Sequence, residues 1–250
     1  MRLPFFFLIL ISSLGASSLK AESVALISTD SLGYEYFAVA DEALTYDPSI
    51  IVFPEWGFIA LQEDVSSDIL VKWQNYAVTH KVAIVLNTRE SGKNATFVFT
   101  KDGDRFLSYR RDGNGSPVPT VQESLVVNIE GRNVGVLVCD EARNRRYLDQ
   151  LFIEYPETDL IVSPNKSGDF SGADSVLNRA IDLDYPVDIF TADTIGKFTF
   201  NGGNHTHVYR YDIQSLEVKR YLQDFPFASW DELKSTSYGA KYSIGIYEIY

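Results

Sequence analysis

The chain has little of what usually advertises chemistry. Among 250 residues there are three histidines and one cysteine, Cys139. One cysteine excludes an intramolecular disulfide. His205 and His207 alternate on one expected strand face, but two histidines without a third ligand at recognised spacing make no metal site. No GxSxG elbow, GxGxxG fingerprint or P-loop occurs, so serine-hydrolase and nucleotide-binding readings have no anchor. Positive charge is also in deficit, with 22 Lys and Arg against 34 Asp and Glu. That balance argues against nucleic acid or an anionic membrane surface as a partner. Beyond the N-terminus no segment approaches the roughly 20 continuous apolar residues that cross a bilayer, and no linker, charge block or low-complexity stretch divides the chain.

What the N-terminus does contain is a signal-peptide pattern: Arg2, an apolar run over residues 3–14, and small polar residues up to Ser18. Residues 1–21 are therefore expected to be removed, with cleavage after Ser18 or Ala21, leaving no membrane anchor. The expected location is exported, either periplasmic or secreted. Residues 22–250 then form one domain with 20 basic and 34 acidic side chains, a formal charge of −14. An oxidising compartment favours disulfides in small domains, but a chain of this length builds a core large enough to do without them. Four Asn-x-Ser/Thr sequons begin at Asn94, Asn114, Asn165 and Asn204, and they matter only in a eukaryotic host.

Short β-branched runs alternate with helical periodicity. Strands are expected at residues 24–28, 50–53 and 82–86, with helices at 34–45 and 66–79, the second starting near a serine cap and carrying Ile69, Leu70, Trp73 and Ala77 on one face. A hairpin follows at 96–100 and 105–109, turning through Lys101-Asp102-Gly103-Asp104. A second joins 124–129 to a strand running up to Cys139. Helices at 145–155 and 175–183, strands at 160–162 and 187–192, and a β-rich tail from His207 complete an α/β pattern. Ile51-Val52-Phe53-Pro54-Glu55 is echoed 110 positions later by Ile161-Val162-Ser163-Pro164-Asn165. Each strand ends in a polar residue after a proline, which predicts two similar α/β halves opening on one mouth.

The apolar run Val134 to Val138 stops at Cys139 and turns polar at Asp140 and Glu141, which presents the thiol at the rim of a sheet where α/β proteins place their chemistry. A thiol nucleophile needs a base, and donors or a cation for the oxyanion. Glu55, at an apolar strand end, meets the base requirement. Trp56 and Phe170 are candidates for lining a pocket, Asp140 and Glu141 for recognising a cationic or amide group of a substrate, and Asn165 and Lys166 stand at the second strand mouth.

In this order the segments IIVFPEWGF, FVFTKDGDRFLSYRR, VGVLVCDEARN, DLIVSPNKSGDF and RAIDLDYPVDIFTADT resemble the nitrilase superfamily of carbon-nitrogen hydrolases, over nearly all of residues 22–250. The resemblance implies a single-domain αββα sandwich and cofactor-free hydrolysis of a small amide or nitrile by a Glu-Lys-Cys triad. It makes Cys139 the nucleophile that forms a thioester acyl-enzyme, Glu55 the general base, and the Asp140 backbone N–H an oxyanion donor. It also implies pairing across helices beside the nucleophile, so that a homodimer is an expected state, and a structural or interface role for Asp182.

One departure falls within the triad. Where the family has its lysine, after the tyrosine and basic residue that close the hairpin, Tyr109-Arg110 is followed by Arg111. A guanidinium stabilises an oxyanion but hardly releases a proton. Three readings follow: Arg111 replaces the lysine electrostatically, Lys166 supplies the ammonium from the second mouth, or the chain is a catalytically silent member of the fold acting as a binding or scaffold protein.

Overall fold

A computed structural model of the chain describes residues 22–29, 36–55, 64–109, 126–129, 131–165, 171–185, 187–192, 197–201, 208–212, 229–230, 234–235 and 241–249. The elements are β1 (Glu22–Thr29), α1 (Tyr36–Leu44), β2 (Ile50–Val52), α2 (Ser67–His80), β3 (Ala83–Glu90), β4 (Lys93–Phe99), β5 (Arg105–Tyr109), β6 (Val126–Ile129) and β7 (Arg132–Val136). A 3-10 turn at Cys139–Arg143 leads into α3 (Arg145–Asp149), which continues as a π-helical turn over Gln150–Glu154. Then come β8 (Leu160–Pro164), α4 (Ser171–Asp182), β9 (Asp188–Ala192), β10 (Lys197–Asn201), β11 (Val208–Asp212), β12 (Ser229–Trp230), β13 (Lys234–Ser235) and β14 (Lys241–Ile249).

Two sheets form, one in the order β12-β14-β1-β2-β3-β4-β5 with β13 also on β14, the other β11-β10-β9-β8-β7-β6. In the first, β1, β2 and β3 run parallel and β4 and β5 follow antiparallel. The second repeats this arrangement with β7, β8 and β9 parallel and β10 and β11 antiparallel. The match extends to the flanks, where β14 lies antiparallel on β1 and β6 antiparallel on β7. The short echo in the sequence is therefore part of a duplicated topology, with β2 equivalent to β8.

Central parallel strands are buried on both faces, which is why they read as unbroken apolar runs. One face of each sheet joins a shared core: Val24, Leu26, Val52 and Val85 meet Val134, Val136, Val162 and Phe190. The opposite faces receive the helices. Ile51, Phe53, Ile84 and Leu86 pack on Val39 and Ala43 of α1 and Leu70, Trp73 and Ala77 of α2. Leu137, Ile161 and Ile189 pack on Leu148 of α3 and Val176, Leu177 and Ala180 of α4. The result is the αββα layering that the resemblance implies.

Local signals account for the element ends. Ser66 caps α2, its hydroxyl accepting from the Ile69 N–H, and Lys81 ends the helix in the left-handed conformation with its N–H bonded to Ala77 O. Ser91 and Gly92 both have positive φ, 50° and 76°, the two-residue turn that suits the twist of the β3–β4 hairpin. Three expectations are corrected. The strand before the thiol ends at Val136, so Cys139 opens a turn instead of closing a strand. Strand β3 runs on to Glu90, four residues past the expected end, because its antiparallel partner β4 begins at Lys93. Strand β10 was not anticipated; its partners β9 and β11 lie on either side.

Candidate active site

Strand β2 keeps its ladder for one more residue, through Phe53 N–H to Val85 O at 2.9 Å, before Pro54 ends it. Glu55 then leaves the first sheet altogether, and its N–H donates to Asn165 O, at the end of β8, at 3.1 Å. The two echoed positions are thus in direct backbone contact across the sandwich. Glu55 is only 4 % exposed. At the opposite end of the sandwich, Arg132 pairs with Glu22 and ties β7 to β1.

Cys139 reaches the same mouth from β7. Leu137 N–H donates to Val162 O at 3.1 Å and Val136 lies level with Val162, so β7 runs out beside β8 and the Cys139 turn follows at the same end of the sheet. Cys139 forms no disulfide and is 8 % exposed. Its backbone sits at φ 49°, left-handed space that non-glycine residues rarely occupy and that surrounding structure must enforce. The enforcement is visible. Val138 N–H donates to the Glu141 carboxylate at 2.8 Å while Glu141 N–H donates to Val138 O at 3.0 Å, clamping the residue on each side of the turn. Glu141 is 1 % exposed, so its carboxylate serves the turn from within. The Asp140 carboxylate faces outward and accepts from Arg143 at 3.1 Å, a contact of the solvated kind worth about 1 kcal/mol or less.

Asn165 bonds through its backbone on both sides, the N–H donating to Ala192 O at 2.7 Å and the carbonyl accepting from Glu55. Its side-chain amide is buried at 1 % exposure, and neither the oxygen nor the nitrogen has a hydrogen-bond partner. The buried Ser163 hydroxyl, two residues earlier on the same strand face, has none either. Groups of this kind cost about 1–3 kcal/mol each when nothing meets them.

A further group was missed at the sequence level. Asn94 Nδ2 donates to Glu55 Oε1 at 2.7 Å, and Asn94 Oδ1 accepts from Asn87 Nδ2 at 2.7 Å; the same Asn87 nitrogen meets Thr96 Oγ1 at 2.9 Å. Asn87 and Asn94 stand on the β3–β4 hairpin, on the inward face that Val85 and Val98 make apolar one step deeper. Asn94 reads in sequence only as a sequon. The available signal was an asparagine at position 87 interrupting the apolar run 82–86, since asparagine is depleted in strands. Two of the four sequon asparagines, Asn94 and Asn165, are accordingly built into this mouth; Asn114 and Asn204 lie outside the described residues.

Two sheets with parallel cores, packed face to face between helical layers, match solved structures. Nit3 of Saccharomyces cerevisiae, a branch 10 member of the nitrilase superfamily, superposes with TM-score 0.58 at 13 % identity over 82 % of this chain and 94 % of its own. A carbon-nitrogen hydrolase from Helicobacter pylori G27 gives 0.59 at 11 % identity, over 82 % and 95 %. An amidase from Nesterenkonia sp. AN1, with acrylamide added to its active-site cysteine, gives 0.60 at 15 % identity, over 82 % and 96 %. The fold is that of the nitrilase superfamily. No protein-family model and no curated protein matches the chain. Within this nitrilase fold Glu55 and Asn165 are in backbone contact, and the turn of Cys139, which contains Asp140 and Glu141, follows β7, the strand beside β8. Trp56, Arg111, Lys166 and Phe170, and the histidines 205 and 207, lie outside the described residues. Asp182 is at the exposed end of α4, 3.9 Å from Arg179, which itself bonds Asp149 at 2.6 Å.

Proposed function

We propose that this chain is an exported carbon-nitrogen hydrolase that cleaves a small amide through a thioester on Cys139. The observation that carries the reading is the backbone at Cys139. A cysteine held in left-handed space by a clamped turn, at the end of the strand beside β8, is an arrangement that a merely packed cysteine does not need. The fold neighbours support the class, among them the amidase whose active-site cysteine takes up acrylamide. Export rests on the sequence pattern of residues 1–21.

In this reading Glu55 accepts the thiol proton as Sγ attacks the carbonyl carbon. The oxyanion is met by the Asp140 N–H, at the start of the 3-10 turn, and by a cationic side chain, for which Arg111 stands at the family's lysine position. Collapse of the tetrahedral intermediate returns the proton to the leaving nitrogen and leaves an acyl thioester. Water, deprotonated by Glu55, attacks the thioester and releases the acid and the free thiol. Each proton taken is given back, so no cofactor enters. The Asn165 amide, unpartnered among the described residues, supplies an NH2 donor and a carbonyl acceptor, the complement of a substrate amide.

The test is release of ammonia or amine from a panel of simple amides, nitriles and N-acyl compounds, with Cys139→Ala, Glu55→Gln and Arg111→Lys run in parallel. Turnover lost in the first two variants supports the thioester route, and release that survives Cys139→Ala removes it. An inert parent that gains activity as Arg111→Lys identifies a chain that kept the site and lost the ammonium it needs.

A further inference from the structure

We propose that Asn94 is the positioning residue for the base and that Asn87 acts through it; this deepens, and rests on, the reading of Glu55 as proton acceptor for Cys139. The direction of the chain follows from chemistry. An ionised carboxylate only accepts, so Asn94 must turn its NH2 group to Glu55 Oε1, and its carbonyl oxygen then faces Asn87. Asn87 meets that oxygen with an N–H at 2.7 Å and shares the same nitrogen with Thr96 Oγ1 at 2.9 Å. The orientation of the Asn94 amide is thereby set from both ends.

The mechanical need is equally specific. Glu55 follows a proline and bonds across to the other sheet, so its own backbone is outside the ladder that stiffens β2. Asn87 and Asn94 stand in regular hairpin register, with Asn87 opposite Thr96 and Asn94 opposite Arg89. A carboxylate on irregular backbone is held by an amide on regular backbone, and with Oε1 anchored the second oxygen is confined to a narrow arc. Asn87 is fully buried on the inward face, where an apolar or β-branched residue would suit the strand better, and Asn94 stands half-buried beside the turn. Aspartate at 94 would set charge against charge, and alanine would leave Oε1 without this donor.

The experiment is the rate of Cys139 alkylation by iodoacetamide at neutral pH in the native full chain, which needs no substrate, with folding followed by circular dichroism. Asn94→Ala is expected to slow alkylation roughly tenfold or more, the size of one charge-assisted hydrogen bond. Asn87→Ala should slow it less, and the double variant should match Asn94→Ala alone, because a residue acting through Asn94 has no effect once Asn94 is gone. Additive losses would overturn the role of Asn87. A wild-type rate in Asn94→Ala beside a depressed rate in Glu55→Gln would overturn the positioning proposal and leave the base reading intact. A wild-type rate in Glu55→Gln would remove the base reading and this proposal with it. If Asn94→Ala does not fold, Asn94→Ser, whose hydroxyl is too short to span both partners, is expected to show the same loss; wild-type reactivity there overturns the proposal.

Discussion

If Cys139 is strained by its φ of 49°, removing its Cβ should recover free energy that the same change elsewhere does not. The perturbation is the alanine-to-glycine step, made at position 139 by comparing Cys139→Ala with Cys139→Gly, and made at Ala142 as a control in the same turn. Ala142 is fully buried and has no positive φ. Ala142→Gly should cost about 0.5–1 kcal/mol in backbone entropy and about 0.8 kcal/mol for the lost buried carbon. At position 139 the same two costs apply, but relief of the left-handed conformation returns about 1–2 kcal/mol. The Ala-to-Gly step at 139 should therefore come out near zero, about 1–2 kcal/mol more favourable than at 142. Urea denaturation with unchanged m-values reads both steps. Equal costs at the two positions would show that residue 139 stores no strain, and the structural argument for a purpose-built nucleophile turn would fail with it.

Glu141→Ala leaves the buried Val138 N–H without its acceptor and should destabilise by about 1–3 kcal/mol; Glu141→Gln keeps an acceptor oxygen and should recover most of that, as urea midpoints will show. Tyr76 donates to Asp41 at 2.7 Å, and burial first, then the hydrogen bond and charge of Asp41, push its phenol well above the ordinary value of 10.0. A folded state that holds its proton longer than the unfolded chain is favoured fully below that ordinary value and loses the advantage as pH climbs past it. Tyr76→Phe should therefore be less stable than the parent at neutral pH and close the gap above about pH 10, a convergence that thermal midpoints measured at stepped pH will register; a gap independent of pH would contradict the coupling to Asp41.

How much of this was legible depends on how far apart the partners lie. The helix at residues 66–79 was readable because its cap and apolar stripe are local, and the structure places α2 at Ser67–His80 with Leu70, Trp73 and Ala77 buried. The hairpin around residues 101–104 was readable from its turn, and the αββα layering through the resemblance. The strand expected to run into Cys139 was misjudged because Leu137 and Val138 are as apolar as any strand residue, and only the Glu141 carboxylate reaching back to Val138 shows that the ladder has stopped. Strand β14 illustrates the other limit. It returns from the far end of the chain to lie beside β1, and no local pattern states which sheet a late strand will join.

The duplicated topology explains why the candidate site sits where the two halves meet and also why it is asymmetric. Strands β2 and β8 are equivalent, and the residues after their prolines, Glu55 and Asn165, are both buried and in backbone contact. Identical halves would place the same side chain twice in this confined space. Two carboxylates there could not both stay ionised, because like charges at short range with little solvent drive one of them to bind a proton. Two amides would leave no base. One glutamate and one asparagine carry only one carboxyl group between them, and that carboxyl is the one the hairpin amide of Asn94 meets. The neutral partner keeps its own amide unpartnered at the same mouth. On the proposed reading, divergence at this single pair of equivalent positions is enough to turn a symmetric seam into a site with one base and one polar group for a substrate, while the surrounding duplicated strands hold both in place.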